Sequence, residues 1–174
     1  MSSQGRLCYL LRKIHFCQNT RTRIPGMKGF FSKSRTSESA HGKMKARTLN
    51  YEDERLLRSA RELMRIRKSN VSSVASCLRT KKGTIFRGVC IDTSTGMCAE
   101  YGAVASMVTE GETEIDTIVA VTFDAKKMRY PILPACGRCR QLLVEFGNPW
   151  VIVKENQKFR LSDLYPVPWR GGFG

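Results

Sequence analysis

Apolar positions change their period along the chain, and each change marks an element. Leu56, Leu57, Ala60, Leu63 and Met64 repeat at the spacing of one helix face. Asn50 supplies an N-cap, Glu52, Asp53 and Glu54 put negative charge in the first turn, and Arg65, Arg67 and Lys68 put positive charge in the last. Residues 50–68 are therefore predicted as an amphipathic helix. Residues 71–80 and 84–91, rich in Val and Ile, read as two antiparallel strands joined through Lys81-Lys82-Gly83. Ala99, Ala103, Val104, Ala105 and Met107 predict a helix over residues 98–110 that stops near Gly111, and the apolar run 117–123 predicts a buried strand. Beyond the strand breakers Pro131 and Pro134, a helix over 137–146 ends at Gly147, a strand covers 150–154, and Ser162 is placed to cap a last helical turn. A helix, a hairpin and then helix–strand units predict an α/β fold, a three-layer α/β/α sandwich with a mixed sheet.

The first 47 residues do not share this patterning. They carry eleven Lys and Arg against the single acid Glu38, so +10 of the chain's formal +15 lies there. A basic, Ser-rich and acid-poor segment with Pro25-Gly26 in its middle is expected to be a disordered leader, with the folded domain over 48–174. The same composition fits an organelle transit peptide, a solvated tail, or a start assigned upstream of Met27 or Met44. Nucleic acid, if a partner at all, is expected to engage only this leader. No apolar run approaches the roughly 20 residues of a membrane helix, so a cytoplasmic protein with no membrane partner is expected.

Seven cysteines in a chain of this size are an odd count and do not read as a disulfide framework. Three of them stand in a different pattern. Cys98-Ala99-Glu100 opens one predicted helix, and Pro134-Ala135-Cys136-Gly137-Arg138-Cys139 leads into another. Cys136 and Cys139 are three apart and share one face of a helical turn, and helix N-termini favour thiolates. Cys98, Cys136 and Cys139 thus offer three soft ligands to Zn²⁺ and leave a fourth position for water, as catalytic zinc sites do. Glu100 is placed to move protons between that water and a substrate, the work of a general acid and base in a hydrolytic loss of ammonia. Three thiolates leave zinc with a net negative charge, so Arg138 and Arg140 are candidates to compensate it through hydrogen bonds to sulfur. Cys8, Cys17 and Cys77 fall outside the pattern, and neither His15 nor His41 lies in the folded part to close a structural zinc site.

These residues resemble the cytidine deaminase superfamily, and within it the blasticidin S deaminase branch, in Cys98-Ala99-Glu100 and in Cys136-Gly137-Arg138-Cys139-Arg140-Gln141. The likeness begins near Ser73 and covers the folded part but not the leader. It implies the α/β/α deaminase sandwich, a zinc-dependent hydrolase acting on a cytosine-type nucleoside such as cytidine, deoxycytidine or blasticidin S, and a homotetramer. It implies a substrate pocket including Ser73, Cys90, Asp92 and Ala99, with the ring of Tyr165 or Trp169 near its mouth; for Trp169, core packing is the competing expectation. Where nucleoside deaminases of this type carry Asn-Val-Glu for the sugar hydroxyl, this chain has Cys90-Ile91-Asp92. Two further readings compete: deamination of cytosine within nucleic acid, prompted by the basic leader, and a non-catalytic zinc-stapled nucleic-acid-binding module.

Overall fold

The computed structural model describes residues 44–169. Most of the expected leader, with Cys8, Cys17, His15 and His41, lies outside the described residues. Arg47, assigned to the leader by charge, exchanges two backbone hydrogen bonds of 2.9 Å with Lys158, so the fold takes hold one residue earlier than composition suggests.

The first helix, α1 (Tyr51–Arg67), starts where the sequence places it. Asn50 accepts from the Asp53 amide and Asp53 accepts from the Asn50 amide, a reciprocal capping box that satisfies two otherwise orphaned donors. The hairpin follows as β1 (Val74–Thr80) and β2 (Ile85–Val89), shorter at their outer ends than expected, with Gly83 taking a φ of 92° in the turn. Then come α2 (Ala99–Thr109), β3 (Ile115–Thr122), β4 (Ile132–Leu133), α3 (Gly137–Val144), β5 (Trp150–Lys154), β6 (Gln157–Arg160) and α4 (Leu161–Leu164).

The sheet runs β2-β1-β3-β5-β6, antiparallel except for the β3–β5 pair, and is therefore mixed as expected. Beside β5, the two-residue β4 pairs with the C-terminal half of β3. Alternate residues of the central strands feed two cores. Leu56, Ala60, Met64, Ala75, Cys77, Val119 and Val121 close one face beneath α1. Leu78, Ile118, Ala103, Met107, Leu143 and Leu161 close the other beneath α2, α3 and α4. The result is the three-layer α/β/α sandwich, with α1 the one helix on its side among the described residues. Among the described residues no helix is long and apolar enough to cross a membrane.

Three elements depart from the sequence reading, the first being β4, two residues that pair with β3 where no strand was expected. Strand β6 was not expected; its polar Gln157-Lys158-Phe159-Arg160 is a strand because Glu155-Asn156 turn it back onto β5. Ser162 does not cap α4 but sits inside it. Asn148 takes the capping role, accepting from the Ser162 amide at 2.9 Å and donating to the Ser162 hydroxyl at 3.1 Å.

Candidate active site and metal centre

Local folding brings the two cysteine segments together. After β2 the chain is held to the start of β1 by the Cys90 amide on the Val74 carbonyl and the Asp92 amide on the Val71 carbonyl. Ile91 and Met97 then exchange two hydrogen bonds, closing the polar loop 93–96 and delivering Cys98 to the N-cap of α2. From the other side, β4 and Pro134 deliver Cys136 to the N-cap of α3. The Cys98 side chain makes no capping bond to α2, and the sulfurs carried by the two helix starts turn toward a shared point.

They meet each other. The Sγ atoms of Cys98, Cys136 and Cys139 all lie within 4.8 Å of one another, and the Cys136–Cys139 pair stands at 3.5 Å. Sulfurs on a tetrahedral zinc with bonds of about 2.3 Å stand about 3.8 Å apart, so the set fits that ion. Its ionisation fits too. Burial pushes the Cys98 and Cys139 thiols up, reinforced by the charges of Cys136 and Glu100. Cys136 goes down, against its own burial, because the Cys139 and Arg138 amides and the neighbouring thiols donate to it. By itself the protein favours ionisation of Cys136 over that of Cys98 and Cys139; a divalent cation among them is what would let all three ionise. Cys77 is no part of the group: it is buried beneath α1 against Ser59.

Cys98 and Cys136 open onto a cleft of ≈ 450 Å³ that Ala99, Glu100, Arg138, Cys90 and Asp92 also line. Glu100, in the first turn of α2, is only 6% exposed and turns to the cleft. Arg138 lies over the Tyr101 ring at 4.9 Å and lines the cleft beside the cysteines; Tyr101, through a hydrogen bond and its charge, and the Cys98 and Cys139 charges hold the guanidinium pKa up. Arg140 has another task. Its guanidinium donates to the Ala135 carbonyl and the Leu164 carbonyl, both at 2.8 Å, tying α4 to the residue before Cys136 rather than bonding a sulfur.

The expected substrate wall is partly rearranged. Cys90 and Asp92 line the cleft, but Ser73 does not; its neighbour Val74 does. Ser73 acts from behind, its amide donating to Cys90 Sγ at 3.1 Å and to Asp92 Oδ2 at 2.9 Å, while the Val74 amide also donates to Cys90. Hydrogen bonds from Ser73 and Cys90 hold the Asp92 carboxyl below its usual range. Neither C-terminal ring reaches the cleft. Tyr165 packs on the core with its hydroxyl on Gln141, and Trp169, bonded through its backbone to Gln141, is 59% exposed rather than packed in the core. The sequence reading missed the loop 93–97, Ala120, Leu133 and Pro134 on the cleft wall. The Thr93-Ser94-Thr95-Gly96 run directly before Cys98 was the available signal for the first of these.

A family model described as the cytidine and deoxycytidylate deaminase zinc-binding region matches residues 50–155. The chain is similar to a blasticidin-S deaminase of Bacillus cereus, 29% identical over 137 residues, which is 72% of this chain and 98% of that protein. It is also similar to a cytidine deaminase of Mycoplasma genitalium, 37% identical over 76 residues, which is 42% of this chain and 55% of that protein. Its fold is shared with the crystal structure of the cytidine deaminase from Bacillus anthracis, at a TM-score of 0.61 and 23% identity over 69% of this chain and 90% of that one.

Proposed function

Because this chain belongs to the cytidine and deoxycytidylate deaminase family, and is on that ground a hydrolytic deaminase of C–N bonds, we propose that it converts the exocyclic amine of a cytosine-type nucleoside to a carbonyl in a zinc-dependent reaction. The observation that carries this reading is the meeting of three sulfurs beside a cleft that Cys98, Cys136 and the buried Glu100 line.

Cys98, Cys136 and Cys139 would hold the zinc, whose charge, when bound, makes a water molecule acidic enough to attack at neutral pH. Glu100 takes the proton of the attacking water and returns it to the ring nitrogen beside the carbon under attack. A second proton, taken from the hydroxyl now on that carbon as it becomes a carbonyl and passed by the same carboxyl to the amine, lets it leave as ammonia. One water is consumed and one ammonia released, and Glu100 ends as it began. Arg138, held over Tyr101, offsets the negative charge of three thiolates, while Arg140 acts at one remove by fixing the loop that carries Cys136.

Cys90 and Asp92 are proposed to face the sugar or its counterpart. Asp92 offers an ionised acceptor, whereas the Cys90 sulfur is already engaged by two amides. An acceptor-rich wall suits donors on the substrate, whether sugar hydroxyls or the cationic groups of blasticidin S. Against a purely structural zinc, the sulfur group borders an open cleft, and among the described residues no fourth protein ligand joins it. The test is zinc-loaded protein offered cytidine, deoxycytidine and blasticidin S, with released ammonia as readout. Turnover of at least one supports the proposal, and a chain that holds zinc yet releases no ammonia from any of them overturns it.

A further inference from the structure

A second and larger recess, ≈ 680 Å³, lies between α1, β4 and the end of β5. It is separate from the active cleft. Successive residues of a strand point to opposite faces, and on β4 Ile132 lines this recess while Leu133 lines the cleft. Three cations border it: Arg61, Arg129 and Lys154. Arg61 is committed, donating to the Tyr130 carbonyl at 3.3 Å and pairing with Glu155, the one acid on the rim among the described residues. The other two are held loosely or not at all. Arg129 stands 3.8 Å from Asp124 with its side chain 60% exposed, and Lys154 has no ion pair among the described residues.

The remaining wall is apolar, formed by Tyr130, Pro131, Ile132 and Val153. Its aromatic part is held in place: Tyr130 packs on Phe123 with centroids 5.2 Å apart, and Lys68 covers Phe123 at 3.9 Å. Lys154, and Arg129 from its long and exposed pair with Asp124, offer two cations to the roughly −1.5 to −2 charge of a phosphomonoester near neutral pH. A recess of this size beside a fixed apolar wall suits a flat ring carried on that phosphate.

We propose that this recess binds a nucleoside monophosphate, its phosphate taken by Arg129 and Lys154 and its ring laid against Tyr130, Ile132 and Val153. The site is independent of the deamination reading, since none of its residues lines the cleft. Adenosine 5′-monophosphate is the probe, because it lacks the cytosine amine on which the cleft is proposed to act. Calorimetry on the full zinc-loaded chain is expected to show saturable binding below about 1 mM, with adenosine and inorganic phosphate each at least about tenfold weaker. The double variant Arg129→Glu, Lys154→Glu, both exposed, is expected to weaken binding at least about tenfold while leaving deaminase turnover and the thermal midpoint unchanged. Lys81→Glu with Lys82→Glu, at the distant hairpin turn, is expected to change nothing. Absence of saturation, equal binding of adenosine or of phosphate alone, or undiminished binding in the Arg129→Glu, Lys154→Glu variant would each overturn the proposal.

Discussion

Glu100 and the cysteines divide their work in a way single substitutions separate. Glu100 borders the cleft without joining the sulfur group, so Glu100→Ala is expected to keep its zinc and lose about 10²–10⁴-fold in turnover. Cys136→Ser is expected to lose the metal and activity together, because the most ionised of the three sulfurs goes. Metal content by atomic absorption beside ammonia release checks both; a Glu100→Ala protein that remains active removes the proton-transfer role. The sulfur group and Glu100 were legible in the sequence because short covalent spacing and helix starts fix them. Ser73 and Arg140 were misplaced for the opposite reason. Their partners, Cys90 and Asp92 for one and the Ala135 and Leu164 carbonyls for the other, depend on long-range folding that no local pattern encodes.

The element that positions the site is α2, and its seat on the sheet is made of backbone. A Cβ on Gly88 of β2 would stand 2.1 Å from the Ala103 nitrogen and 2.5 Å from the Ala99 oxygen, so the helix lies directly on the strand. Gly88→Ala must push α2 away, and with it Cys98 and Glu100. The expected cost is about 1–3 kcal/mol of stability, together with weaker zinc binding, read by thermal melts and chelator competition. A variant with unchanged zinc affinity would show that α2 can shift without moving the site. At this scale the sequence displayed long periodic elements well and short ones poorly. The capped α1 and the hairpin were legible. Two-residue β4 and polar β6 carry too few residues for a period and exist only because β3 and β5 offer them an edge.

For the whole molecule, the strongest constraint away from the site is the buried Asp53, whose carboxylate caps α1 and pairs with Lys158 and with Arg79, itself paired with Asp116. Burial alone would raise the Asp53 pKa, but the Lys158 hydrogen bond, the Asn50 amide and the Lys158 and Arg79 charges hold it below the usual value. A depressed carboxyl contributes its full stability above the unfolded value, ~3.9, and loses it as pH falls through the folded value. Stability is therefore expected to drop below about pH 4, and Asp53→Asn, which leaves Lys158 buried without its counter-charge, is expected to cost about 3–5 kcal/mol at neutral pH and to flatten that acid limb. Urea unfolding at several pH values measures both effects, and an unchanged acid limb in the variant would remove Asp53 from the account. We also propose a homotetramer, by likeness to the family; sedimentation equilibrium that returns a monomer at micromolar concentration contradicts it. The central claim is most directly tested by the loss of cytosine-ring absorbance and the release of ammonia from cytidine, deoxycytidine and blasticidin S, comparing the zinc-loaded chain with Glu100→Ala. The account predicts that at least one is deaminated by the first and none by the second; no turnover by the zinc-loaded chain, or equal turnover by both proteins, would contradict it.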